Sequence, residues 1–271
     1  MKMVTRIPFF VLLFLTCAIQ AQTERGNPIP PDNPREADVM FSKRVWRVID
    51  LREKQNKPIT WPKANISKII YNSIMSGGLK PYKDDSLHGI FDLEVFVKRG
   101  SNKIVVRKLV DPNDNDGLYT TDTIFDPFDP EEKITQLMLM EELYYDKKMS
   151  REVVRIIAIA PLFNWEVEGY SLGMQPLCWL KYYDRNAKEM ACRDLFVKQI
   201  LFNPMNSRST FSFDDWFEQR RFGSFIVKTS NFSDISIMDD PEVKKNGLKA
   251  LIEAERLKQD LHERDMNNYE Y

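Results

Sequence analysis

The sequence predicts an α+β fold, made mainly of antiparallel hairpins packed with a few helices and finished by a helical C terminus. Three observations predict it. Three segments read as strand, polar turn and strand; isoleucines recur at helical spacing from Ile66 to Ile74; and a charged amphipathic stretch runs from Pro241 to Arg264. With 271 residues, 43% of them hydrophobic, the chain can fill a core of ordinary density.

The N terminus is read first. Lys2 and Arg6 precede the apolar run Ile7 to Leu15, and small and polar residues follow to Ala21, which is the pattern of a secretory signal peptide over residues 1–21 with cleavage after Ala18 or Ala21. That run is too short for a permanent anchor in a bilayer core of about 30 Å. Phe14, Leu15 and Thr16 make a poor lipobox ahead of Cys17, so an exported, soluble mature chain is expected. Residues 22–36 carry Pro28, Pro30, Pro31 and Pro34 and read as an extended linker. A globular domain over 37–240 and a C-terminal helix and tail over 241–271 complete the expected organisation.

Within that domain, Val39 to Lys54 fits two patterns. Phe41, Val45, Val48 and Ile49 have helical spacing while RVWRVIDL also alternates, and the helix is the favoured reading. Pro62 to Lys80 predicts a helix whose stripe is Ile66, Ile69, Ile70 and Ile74 and whose stop is Gly77–Gly78. FDLEVFVKRGSNKIVVRKLV (91–110) predicts a hairpin around RGSN, residues 134–161 a longer one around DKKMS, and WLKYYDRNAKEMA a third between Cys178 and Cys192. FDDWFEQRRF (213–222) predicts a short helix followed by the strand SFIVKTS. The last helix should turn Leu248, Leu251, Ile252, Glu255 and Leu257 to one side.

Composition excludes some functions. Losing Lys2 and Arg6 from 39 basic residues leaves 37 against 40 acidic ones, a net charge of −3, and nucleic acid is not an expected partner. Of the two histidines, His88 would have to serve a zinc site or a catalytic relay alone, since His262 lies in the terminal helix. DPNDNDGLYTTD (111–122) resembles a calcium loop, but Gly117 is its seventh residue where the sixth is required. The acid pairs Glu131–Glu132, Glu141–Glu142 and Asp214–Asp215 are adjacent, an arrangement that in a strand points the two side chains to opposite faces, so ordinary solvated charge is expected. No catalytic residue, metal ligand or cofactor is therefore assigned. Cys178 and Cys192 are either a disulfide across the third hairpin or two buried thiols packing as small hydrophobes.

SKRVWRVIDLREKQNKPITWP (42–62) packs six Arg and Lys, two acids and two Trp into one stretch. Together with RIIAIAPLFNWE (155–166) and FDDWFEQRRFGSFIVKTSN (213–231), in this order behind a signal peptide, it resembles the GldN/PorN family of the Bacteroidetes from about residue 38 to the C terminus. The resemblance implies a non-enzymatic periplasmic subunit of the type IX secretion system, at the inner side of the outer membrane. It also implies a ring built with a GldK/PorK-type lipoprotein and contact with a GldM/PorM-type inner-membrane protein, so that membrane association comes only through partners.

In that setting, Arg47, Arg52 and Trp61 are the expected partner contacts, with Asp50 holding an arginine in place, and Arg220 and Arg221 form a second candidate pair. Trp46, Ile49 and Leu51 should bury. Two alternatives stay open from the residues: an exported envelope enzyme using His88 with a carboxylate or a thiol, and a small-ligand module with an apolar pocket.

Overall fold

The computed structural model describes residues 34–268 apart from 100, 102, 110–118, 126–127, 168–169, 185–188, 204, 207, 242 and 244–245. The signal peptide, nearly all of the proline-rich linker and the core of the calcium-like loop lie outside the described residues.

A curled antiparallel sheet organises the chain, in the order β10 (Phe225–Thr229), β1 (Val39–Asp50), β6 (Ile134–Asp146), β7 (Arg151–Val167) and β8 (Tyr170–Pro176), with β9 (Leu180–Lys181) also paired to β7. This is the expected α+β class. The long hairpin of β6 and β7 turns at residues 147–150, as DKKMS predicts, and its register keeps Leu137, Leu139, Ile159 and Phe163 in the main core.

Residues 39–50 are a strand, not the favoured helix. Val45, Trp46, Val48 and Ile49 are all buried because β1 is covered on both faces and hydrogen-bonded on both edges. Burial on both faces puts apolar residues in adjacent pairs, and such pairs mimic a helical stripe. Trp46, Ile49 and Leu51 bury as expected, while Arg44, Arg52 and Lys54 are exposed.

After the short paired strands β2 (Thr60–Trp61) and β3 (Ala64–Asn65), helix α1 (Ile66–Met75) forms where predicted. Asn65 Oδ1 accepts from Ser67 N at 2.9 Å to cap its start, and Ile66, Ile70 and Ile74 bury fully. Gly77 ends it at φ 76°, a left-handed conformation that a Cβ would strain.

Two expected hairpins are replaced. Residues 93–98 form helix α2 (Leu93–Lys98), which drives Phe96 into the core while Leu93 and Val95 stay exposed. Burial of one aromatic ring outweighs the local alternation, and β4 (Lys103–Leu109) pairs instead with β5 (Tyr119–Phe125). The Cys178–Cys192 hairpin is absent as well. After the two-residue β9, Cys192 opens helix α4 (Cys192–Phe196), and Asp194 accepts from Ala191 N to fix that start. Both cysteines are free thiols in the core.

Four-residue α3 (Pro130–Lys133) leads into β6, and α5 (Phe213–Glu218) follows its predicted segment. Ser212 and Asp215 form a reciprocal capping box around the start of α5. Trp216, Phe217 and Phe222 join Tyr182, Phe196 and Phe213 in an aromatic cluster at the heart of the core.

Helix α6 (Gly247–Asn268) buries Ala250, Ala254 and Leu261 and half-buries Leu257, whereas Leu248, Leu251 and Ile252 are exposed. Apart from Leu257, the expected stripe is thus turned outward. The alanines allow the helix to approach Ile237 and Val243 closely, and Leu261 packs with Val45, Leu143 and Ile226.

Candidate functional site

Arginines spaced along β1 and just beyond α5 converge where β1, β6 and the turn before β10 meet. Across the β1–β6 ladder Val45 faces Glu141 and Arg47 faces Leu139, so Arg47 and Glu141 are diagonal neighbours on one face. Arg47 Nε donates to Glu141 Oε2 at 2.6 Å. From the other side Arg220 Nη2 donates to the same oxygen at 3.0 Å, and its Nη1 lies 2.9 Å from Oε1, off the hydrogen-bond direction. The Glu141 side chain is 1% exposed, so two guanidinium groups neutralise one buried carboxylate.

Backbone strain contributes to this clamp. Arg220 has φ 51°, the left-handed region that a non-glycine residue occupies at a cost of about 1 kcal/mol. The turn it makes directs its guanidinium to Glu141.

Beside the clamp, Asp50 at the end of β1 accepts from Arg52 Nε at 3.0 Å and Nη2 at 2.6 Å, the arginine-holding pair that the sequence predicts. These bonds hold the Asp50 carboxyl down to about 2 from 3.8. A depressed carboxylate stabilises the fold above its unfolded value and loses that contribution as pH falls through its folded one. The Asp50 share is therefore expected to disappear between about pH 4 and pH 2. Titration of the Asp50 carboxyl carbon by NMR should show this, and Arg52→Ala should return the midpoint toward 3.8.

Asn56, fully buried, ties this loop to the turn that carries Arg220. Its Nδ2 donates to Asp50 O at 2.8 Å and Gly223 O at 3.0 Å, and its Oδ1 accepts from Gly223 N at 2.9 Å. Asn56→Ala strands these backbone groups and is expected to cost about 2 kcal/mol in urea unfolding. Gly223→Ala should cost under about 1 kcal/mol, because the added Cβ meets mainly the Glu53 carboxylate, 2.6 Å away on an exposed side chain that can swing aside.

The other predicted contacts stand apart. Trp61 stacks on Phe202 at 4.4 Å between ring centres, with Lys63 Nζ 5.5 Å from the Trp61 ring. Arg221 is exposed, with its guanidinium 4.5 Å from the Phe211 ring. The structure therefore brings Arg47 and Arg220 together on Glu141, and leaves Arg52, Trp61 and Arg221 with separate neighbours.

A second buried carboxylate lies in the aromatic cluster. Asp214 accepts from the Tyr182 hydroxyl at 2.9 Å and from Arg193 Nε at 3.2 Å, and burial pushes its carboxyl above the usual range despite both. Glu141 and Asp214 are thus clamped interior charges, correcting the solvated role expected of those acid pairs. Glu142, opposite Glu141 in the pleat, pairs with Arg155 as the alternation predicts. The Glu141 signal is visible in LMLMEELYY, an acid inside an apolar strand run, whereas Asp214 and Asn56 give no comparable sign.

His88 sits on an exposed loop, and burial pushes both cysteine thiols upward, away from the thiolate that a nucleophile needs. A shallow, open depression is lined by Lys80, Tyr82, Lys181 and Glu189 among others, and its lining includes neither His88 nor a cysteine. Within it Lys80 and the Tyr82 hydroxyl both bond to Glu189. No group of described residues has the make-up of a metal site.

These features define an α+β protein whose buried charges fasten its own strands and turns together. Residues 34–270 match the family model described as gliding motility associated protein GldN, and the chain belongs to that family. No curated protein matches the chain. Its description associates the family with gliding motility.

Proposed function

We propose that this chain is a non-enzymatic scaffold subunit of the type IX secretion and gliding machinery. It acts in the periplasm at the inner side of the outer membrane, forms a ring with a GldK/PorK-type lipoprotein and contacts a GldM/PorM-type inner-membrane protein. The observation that carries this is the family match over residues 34–270. The clamp at Glu141 supports it, since a subunit that transmits force benefits from turns fixed rigidly to its sheet. Arg52, Arg221 and the Trp61–Phe202 stack are the contact groups left near the surface.

Affinity purification of the tagged chain from solubilised envelopes tests the proposal. The expected result is co-purification of the lipoprotein and ring-shaped particles by electron microscopy. Recovery as a monomer without envelope partners, or turnover of a peptide or peptidoglycan substrate by that monomer, overturns it.

A further inference from the structure

Arg99, immediately after α2, is a guanidinium for which the described chain supplies no carboxylate. Its Nη2 donates to Pro176 O at 3.0 Å, and its Nε is buried with no hydrogen-bond partner. The guanidinium lies 5.2 Å from the Phe91 ring centre and 4.9 Å from that of Trp165, so two aromatic faces hold it in place while the residue is half-buried. Burial lowers its pKa, opposed by the Cys178 thiol and by no described carboxylate. A partly desolvated cation of this kind is stabilised when an anion meets it.

Exposed apolar side chains flank it, interspersed with the exposed Asp92, Glu94 and Lys98. Ile90, Leu93 and Val95 are exposed along and just before α2, at 47%, 45% and 51%. On β8, the strand that ends at the Arg99 acceptor Pro176, Tyr170 and Leu172 are exposed at 78% and 58%. Five large apolar side chains on and beside the two elements that Arg99 joins exceed what a small anion would cover; a protein surface would cover them. Pairing by main-chain strand addition does not suit this edge. Gly173 stands at φ 85° with its N–H turned to Ser171 Oγ, an irregularity that blunts the strand, so side chains must carry the recognition.

We propose that α2 and β8, centred on Arg99, form a docking surface for a partner-protein segment that presents an Asp or Glu side chain among apolar residues. The carboxylate pairs with the Arg99 guanidinium, and the apolar flanks cover Leu93, Val95 and Leu172. Arginine held between aromatic rings within an apolar collar is a common anchor of protein interfaces. This deepens the scaffold function proposed above and rests on it.

The test uses the full chain expressed in its own cells. Arg99→Glu and, separately, Leu172→Asp are purified with their envelope partners, and a photo-crosslinking residue is placed at position 172 of the otherwise unaltered chain. Each substitution is expected to lower partner retention at least about tenfold with an unchanged melting temperature, while Leu251→Asp on the exposed side of α6 leaves it intact. Crosslinks should land on a partner peptide containing Asp or Glu, and reversing that charge should restore binding to the Arg99→Glu chain. Partner retention that neither variant alters, or crosslinks that return to this same chain, overturns the docking surface. An unaltered chain that recovers no envelope partner overturns the scaffold function and this surface with it, whereas full recovery with Arg99→Glu overturns the surface alone.

Discussion

Glu141→Ala is expected to cost about 3–5 kcal/mol, read as a fall in the urea midpoint at constant slope. The wild-type carboxylate is buried and shared by Arg47 and Arg220. Its removal leaves two cations facing each other, and neither can fully return to water: the Arg47 side chain is 18% exposed and Arg220 33%. Arg220→Ala should cost less, because Arg47 still neutralises Glu141. Combining Glu141→Leu with Arg47→Leu should recover more than half of the Glu141→Ala loss, since a buried ion pair is expensive mainly when half of it is missing. A Glu141→Ala variant within about 1 kcal/mol of wild type would show that the clamp does not hold the turn.

Phe217→Ala should be of similar size, about 4 kcal/mol. The Phe217 ring is fully buried and meets four others. It stacks on Phe196 at 5.4 Å, meets Trp216 and Tyr182 edge-on at 5.0 and 5.9 Å, and touches Phe222 at 6.1 Å. No single neighbour can move in to fill the gap, because each is held by the others. Phe217→Leu keeps much of the volume and should lose about half as much. Near-ultraviolet circular dichroism checks the packing directly: the aromatic signal should fall in Phe217→Ala while the far-ultraviolet spectrum of the folded protein persists.

The parts of this fold legible in the sequence are those whose causes are local. The hairpin of β6 and β7, the isoleucine stripe of α1 and the capping box of α5 each lie within one short window, and so does the pairing of Asp50 with Arg52. Strand β1 reads ambiguously because both of its edge partners, residues 136–146 and 225–229, lie far along the chain, as does Leu261 in the cluster that buries Val45. Residues 93–98 alternate like a strand, yet the place waiting for Phe96 makes them a helix. On α6, leucine and isoleucine outrank alanine as buried residues by size alone, but the small side chains bury because they permit close approach. For the site, the sequence picks out Arg47 and Arg220 as important, while their common partner Glu141 emerges only when strands 39–50 and 134–146 are laid side by side.

The placement of β1 also sets an order of assembly. One of its edges pairs with residues 136–146 and the other with residues 225–229. A chain emerging N terminus first can complete the first ladder early, but the second edge has no partner until Thr229 has appeared. Between completion of the first ladder and the arrival of residue 229, Val45 to Ile49 must remain in a half-made sheet with one row of amides and carbonyls open. Long-range closure of this kind is slow, and it favours a helper that shields the strand until the last one arrives.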